Sequence, residues 1–211
     1  MSEAIATLIE AYPELSVCRG DVERATSGLI ETFRSGGKLL LCGNGGSAAD
    51  CEHIAGELLK GFLRRRPAPD DVRAALERAY GEEGRYVAER LQGGLPAISL
   101  VSQTALMTAV ANDVAGDMVF AQQVYAYGRP GDALLAISTS GASANVIRAV
   151  QVASTLGLRT IALTGRDGGR LAALCDVAIR VPKDGTVAVQ ERHLPVYHAM
   201  CTALEEALFA S

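Results

Sequence analysis

Residues 39–50 read Leu39-Leu40-Leu41-Cys42-Gly43-Asn44-Gly45-Gly46-Ser47-Ala48-Ala49-Asp50. A short apolar run enters a glycine-rich turn, and a helical pattern follows from about 48 to 62. Such a run between turn signals reads as a strand buried on both faces, the kind a parallel sheet uses. Gly36-Gly37 ahead of it stop the helical pattern of residues 1–35. In the turn, glycines without Cβ let backbone N–H groups approach an anion, and the next helix N-terminus adds partial positive charge. The turn lacks a GKS or GKT ending. Gly43, Gly45 and Gly46 are also out of G-x-G-x-x-G spacing, so neither common nucleotide loop is present.

Working outward, strand-like runs recur at 96–101, 133–138, 159–163 and 177–181. Helical patterns near 104–111, 117–127 and 143–156 separate them, and a last amphipathic stretch covers about 191–209. Strands alternating with helices imply right-handed crossovers and a parallel sheet. The predicted fold is α/β: a three-layer, doubly wound sandwich with a five-stranded parallel sheet, built as a single domain over 1–211. Residues 64–94 interrupt the pattern. They are dense in charge, contain Pro67 and Pro69, and place Asp70 or Asp71 to cap a short helix over Val72, Ala75, Leu76 and Tyr80. They read as an insertion or lid.

Composition narrows the function. Acidic side chains outnumber basic ones, 24 to 20, for a net charge of −4; Trp is absent and aromatics are 5%. Both facts argue against a nucleic-acid partner. No apolar run reaches the roughly 20 residues of a membrane helix, and a start carrying Glu3, Glu10 and Glu14 is not a secretory signal. Five scattered cysteines without a CxxC pair read as reduced thiols, so the expected compartment is the cytoplasm.

A second loop, Ser138-Thr139-Ser140-Gly141-Ala142-Ser143, also leaves an apolar strand and enters a helix. Its hydroxyls at a helix N-terminus suit a phosphate monoester without Lys or Arg. Both loops fall at strand C-termini, where open parallel sheets bind ligands. A third turn, Gly165-Arg166-Asp167-Gly168-Gly169, follows the next strand. His53 and Glu57 are four apart and share a helix face, a pair able to ligate a divalent ion such as zinc. Gln190 and His198 are eight apart, about 12 Å along one helix. To meet at one metal, either the helix begins at Gln190 or two subunits contribute. His193 lies about 140° around the helix from His198, which points to a structural or interfacial role.

In this order the two loops, His53 and Glu57, Asn112-Asp113, the third turn, and Gln190-Glu191 with His198 resemble the phosphoheptose (sedoheptulose 7-phosphate) isomerases of the sugar-isomerase (SIS) domain superfamily. The resemblance covers nearly the whole chain apart from 64–94. It implies that Asn44, Gly45 and Gly46 hold the substrate with Ser47 near its phosphate. Ser138, Thr139, Ser140 and Ser143 would cradle the phosphate, and Asn112 and Asp113 would contact sugar hydroxyls. His53, Glu57, Gln190 and His198 would ligate one Zn2+ per site, with Glu57 and Gln190 also touching substrate. Glu57 and His198 would be the acid–base pair, in a homotetramer with sites between subunits. The family's basic residue after the His/Glu helix would be Lys60 or one of Arg64–Arg66, and Val187 stands where an acidic residue is expected.

The implied activity converts sedoheptulose 7-phosphate to the aldose D-glycero-D-manno-heptose 7-phosphate through an enediol. A carboxylate suits abstraction of the carbon-bound proton, an imidazole suits the oxygen proton, and a metal would polarise the carbonyl. Two alternatives stay open: isomerisation of another phosphosugar, and a non-catalytic SIS module that binds a sugar phosphate or a protein partner.

Overall fold

A computed structural model describes residues 2–209. The chain opens with α1 (Glu3–Ala11), a 3-10 turn over Pro13–Cys18, and α2 (Arg19–Arg34). There follow β1 (Leu39–Gly43), α3 (Gly46–Leu59), α4 (Asp70–Arg90), β2 (Ala97–Ser99), α5 (Thr104–Asp113) and α6 (Val119–Tyr127). The rest is β3 (Ala133–Ser138), α7 (Ala144–Thr155), β4 (Arg159–Thr164), α8 (Leu171–Leu174), β5 (Val177–Arg180) and α9 (Thr186–Leu208).

The strands form one parallel sheet in the order β2-β1-β3-β4-β5. Every residue of β1 is buried. Period-two alternation divides it between two cores. Leu39 and Leu41 pack with Ile5, Val22, Leu29, Ile54, Leu58, Val196 and Met200, that is, with α1, α2, α3 and α9. Leu40 and Cys42 pack on the other face with Val110, Phe120, Val124, Val146 and Val150 of α5, α6 and α7. The layering is therefore the expected one. Chain direction switches between β1 and β3, so the loops after those two strands open onto the crevice where doubly wound sheets bind ligands.

Three elements depart from the sequence reading. β2 is shorter than 96–101: it spans Ala97–Ser99, and Leu100 closes it by donating to the Leu41 carbonyl at 2.9 Å. α9 begins at Thr186, not near 191. Its buried stripe runs Val189, His193, Val196 and Met200, spaced at helical intervals, and the early turns read as helical only when His193 counts as a core residue. The option of a helix starting at Gln190 is therefore excluded.

α4 is longer than the short helix expected, and it breaks at Gly81 (φ 58, ψ −126). A Cβ on Gly84 would run into the Leu76 carbonyl. Residues eight apart in a continuous helix are about 12 Å apart, so the contact means that the second arm folds back on the first. Pro69 occupies the N-cap without a side-chain cap bond. Asp70 and Asp71 lie within the first turn, where they favour the helix dipole instead of capping it. The excursion leaves and returns at adjacent points: Pro67 bridges Gln92, and Gly93 donates to the Arg66 carbonyl at 2.7 Å.

Candidate active site

The two loops meet. Asn44 and Asn145 exchange side-chain amide hydrogen bonds at 2.9 and 2.8 Å, tying the loop after β1 to the first turn of α7. Gly45 holds φ +55 as the chain turns into α3, and Ser47 is buried in the first turn of that helix. In the second loop the Ser138 and Ser143 hydroxyls lie 3.0 Å apart, and Ser140 accepts from the Ala142 N–H at 3.2 Å. Thr139 is half-buried on the same turn. The third turn lies against the second loop and braces it. Gly165 donates to Thr139 O and Leu171 to Gly141 O, both at 3.0 Å.

α3 and α9 run side by side in the same direction. The Gln190 amide lies against Gly46, His198 Nε2 is 3.4 Å from His53 Nε2, and Glu205 accepts from residues just beyond α3. Partners thus advance together along both helices. His53 Nε2 also lies 3.3 Å from Glu57 Oε1, and Lys60 Nζ is 3.3 Å from Glu57 Oε2. The Tyr197 hydroxyl bridges Asp50 Oδ1 (3.2 Å) and His53 Nδ1 (3.0 Å), while the His53, Tyr197 and His198 rings pack edge to face. Burial, and then the neighbouring His53, lower the His198 pKa against the opposing pull of Glu57. Burial likewise raises the Asp50 pKa, although the Tyr197 hydrogen bond and His53 oppose it, and Asp50 Oδ2 is buried without a hydrogen-bond partner among the described residues.

The structure thus brings His53, Glu57 and His198 together and sets Gln190 at the glycine loop. Asn112 and Asp113 are exposed at the end of α5. Asn112 donates to Asp113, and no hydrogen bond among the described residues links them to either loop. Donor atoms 3.3–3.4 Å apart match neighbouring corners of a tetrahedron around zinc at roughly 2.0–2.1 Å. Among the described residues, however, no group of three or more His, Cys, Asp or Glu side chains is arranged to hold a metal ion. One chain supplies close donor pairs and not a closed set.

Sequence reasoning missed Asn145, Asp50 and Tyr197. Asp50, His53 and Glu57 follow helical spacing on one face, a signal that was available. Tyr197 reads as an ordinary core aromatic, and only the fold reveals its hydroxyl contacts. The expected basic residue resolves into two cases: Lys60 reaches Glu57, whereas Arg66 is buried against Glu205.

A doubly wound sheet whose hydroxyl and glycine loops join at the switch point defines a phosphosugar-binding α/β domain of the SIS class. The SIS domain family profile matches residues 15–79 and 73–165. The chain is 40% identical over 202 residues to the phosphoheptose isomerase of Rhodospirillum rubrum, covering 96% of this chain and 94% of that one. It is 42% identical over 206 residues to the Aliarcobacter butzleri phosphoheptose isomerase, covering 98% and 92%. The solved structure of phosphoheptose isomerase from Neisseria gonorrhoeae superposes with a TM-score of 0.74 at 36% identity, covering 95% of this chain and 94% of that one. The chain belongs to the phosphoheptose isomerase family, and it is a sugar-phosphate isomerase. No helix among the described residues is long and apolar enough to cross a membrane.

Proposed function

We propose that this isomerase interconverts sedoheptulose 7-phosphate and the aldose D-glycero-D-manno-heptose 7-phosphate through an enediol. The observation that carries the reading is the meeting of Glu57 and His198 at His53, on helices that begin at or pass beside the glycine loop. Ser138, Thr139, Ser140 and Ser143 take the phosphate together with the N-terminus of α7, with Ser47 near it, and Asn44, Gly45 and Gly46 hold the adjoining sugar. His53 lies about 9 Å along α3 from Ser47, which leaves room for the carbon chain between phosphate and reacting carbons. The Glu57 carboxylate removes the carbon-bound proton and returns it to the neighbouring carbon. The His198 imidazole carries the oxygen proton. His53, Glu57, His198 and Gln190 are the side chains that would hold zinc, which when bound polarises the carbonyl.

The proposed assembly is a cytoplasmic homotetramer with sites shared between subunits. Exposed apolar residues beside the site support it: Val187 and Leu194 flank Gln190 on α9, Leu59 ends α3, and Leu63 lies in the segment just beyond it. A light-scattering mass of one chain would overturn it.

Incubation of the ketose phosphate in D2O tests the chemistry. The expected product is the aldose phosphate, with solvent deuterium at C2 in those turnovers in which the proton on Glu57 exchanges before its return. Absence of turnover with and without added zinc overturns the assignment, and a Glu57→Gln variant that turns over like the wild type overturns the proton-transfer role of Glu57. Glu57→Gln is expected to cut kcat at least about 1,000-fold with the circular dichroism spectrum unchanged.

A further inference from the structure

Arg66 and Glu205 form an ion pair sealed from solvent, with side chains 0% and 1% exposed and Nε to Oε1 at 2.7 Å. Buried ion pairs cost desolvation and are weak grounds for stability, so their remaining contacts decide what they do. Here both partners reach toward the proposed acid–base pair. The Arg66 guanidinium donates to the Leu58 carbonyl at 3.0 Å and to the Glu57 carbonyl at 3.4 Å, holding the last turn of α3, on which the Glu57 side chain stands. Glu205 accepts from the Phe62 N–H through one oxygen, and from the Leu63 and Arg64 N–H groups through the other, at 2.9–3.0 Å. That strap carries the Phe62 ring to within 5.5 Å of the His198 ring, centroid to centroid. Glu205 itself lies two helical turns beyond His198 on α9.

We infer that Arg66 and Glu205 are positioning residues. Together they set the separation of Glu57 and His198, Arg66 through the main chain of α3 and Glu205 through the strap that seats Phe62 on the His198 ring. This deepens the proposed acid–base reading and rests on it. Neither residue touches substrate in that reading, so disturbing the pair acts on the chemical step and leaves sugar-phosphate binding intact.

Arg66→Lys keeps the charge but loses the planar fork that spans Glu205 and two carbonyls. With an ångström of misplacement costing up to about 100-fold, its kcat is expected to fall roughly 10- to 100-fold, while KM for sedoheptulose 7-phosphate stays within about threefold. Phe62→Ala breaks the second link at the edge of the core, where Phe62 is half-buried, and in the folded variant the same split is expected. With three histidines in the chain, ring NMR signals can be followed one by one. In both variants the His198 signals are expected to shift or broaden while those of buried His193 stay in place, a pattern that general destabilisation does not produce. Wild-type kcat together with unmoved His198 signals in both folded variants overturns the inference, as does a loss confined to KM. If the wild-type protein fails to isomerise the sugar, the acid–base reading falls. The His198 signals then still report whether the pair positions that ring.

Discussion

Gly141 shows how little freedom the phosphate loop has. Its φ is +62, a backbone region that costs a side chain about 1–2 kcal/mol, and a Cβ there would strike the Gly168 carbonyl, itself part of a packed turn. Gly141→Ala is therefore expected to lower the melting temperature by several degrees and to raise KM for any phosphosugar. Gly46 makes the contrast, because a Cβ there would meet only the far end of the Gln190 side chain. Gly46→Ala should fold with nearly unchanged stability while displacing Gln190. Equal melting temperatures for the two variants would show that the difference between backbone and side-chain obstruction is misjudged. Asn145 belongs to the same scale. Removing its paired amide in Asn145→Ala frees the first loop from the second, so KM is expected to rise about tenfold with melting unchanged, checked by kinetics and calorimetry on one preparation.

Among the elements, α4 is the one the fold needs least. Of its 21 residues only Gly84 and Ala88 are buried, and its two arms mainly cover each other. Because Pro67 and Gln92 already pair, the excursion can be cut out and its stumps joined by a short turn. The deletion variant is expected to keep its circular dichroism signature and to lose no more than about 2 kcal/mol in urea unfolding. Collapse of the fold would mean that α4 contributes to the core. The charge density of 64–94 made this excursion legible in the sequence. The length of its helix was not legible, because Gly81 and Gly84 resemble a stop where they make a fold-back. The buried strands were legible for the opposite reason: residues 39–42 and 133–137 are covered on both sides and must be continuously apolar. α9 was only partly legible, since the Gln190-Glu191-Arg192 segment masks a buried face that runs through His193.

At the scale of the whole molecule, the clustering of Glu57 with His198 could be read only as motif order, because it depends on α3 and α9 running parallel across one sheet face. That packing also creates the feature on which acid stability turns. His193 is fully buried with both ring nitrogens lacking a hydrogen-bond partner among the described residues. Burial pushes its pKa down to about 4 from 6.5, and the nearby Thr164 backbone opposes the shift too weakly to reverse it. Between those values the unfolded chain binds a proton that the folded chain refuses, so stability is complete above the ordinary histidine value and drains away as pH falls toward 4. The loss amounts to about 3 kcal/mol. Glu205 does not share this window. Burial would raise its pKa, but the Phe62 and Leu63 N–H groups and Arg66 outweigh that and hold it below the ordinary glutamate value, so its contribution fades only at lower pH. His193→Leu replaces the ring with an apolar side chain of similar volume and, among the described residues, forfeits no side-chain hydrogen bond. Its stability at pH 7 is expected to match or exceed that of the wild type. In urea titrations at pH 7, 6 and 5 its stability should decline much less steeply; a slope equal to that of the wild type would mean that His193 is not the group that titrates.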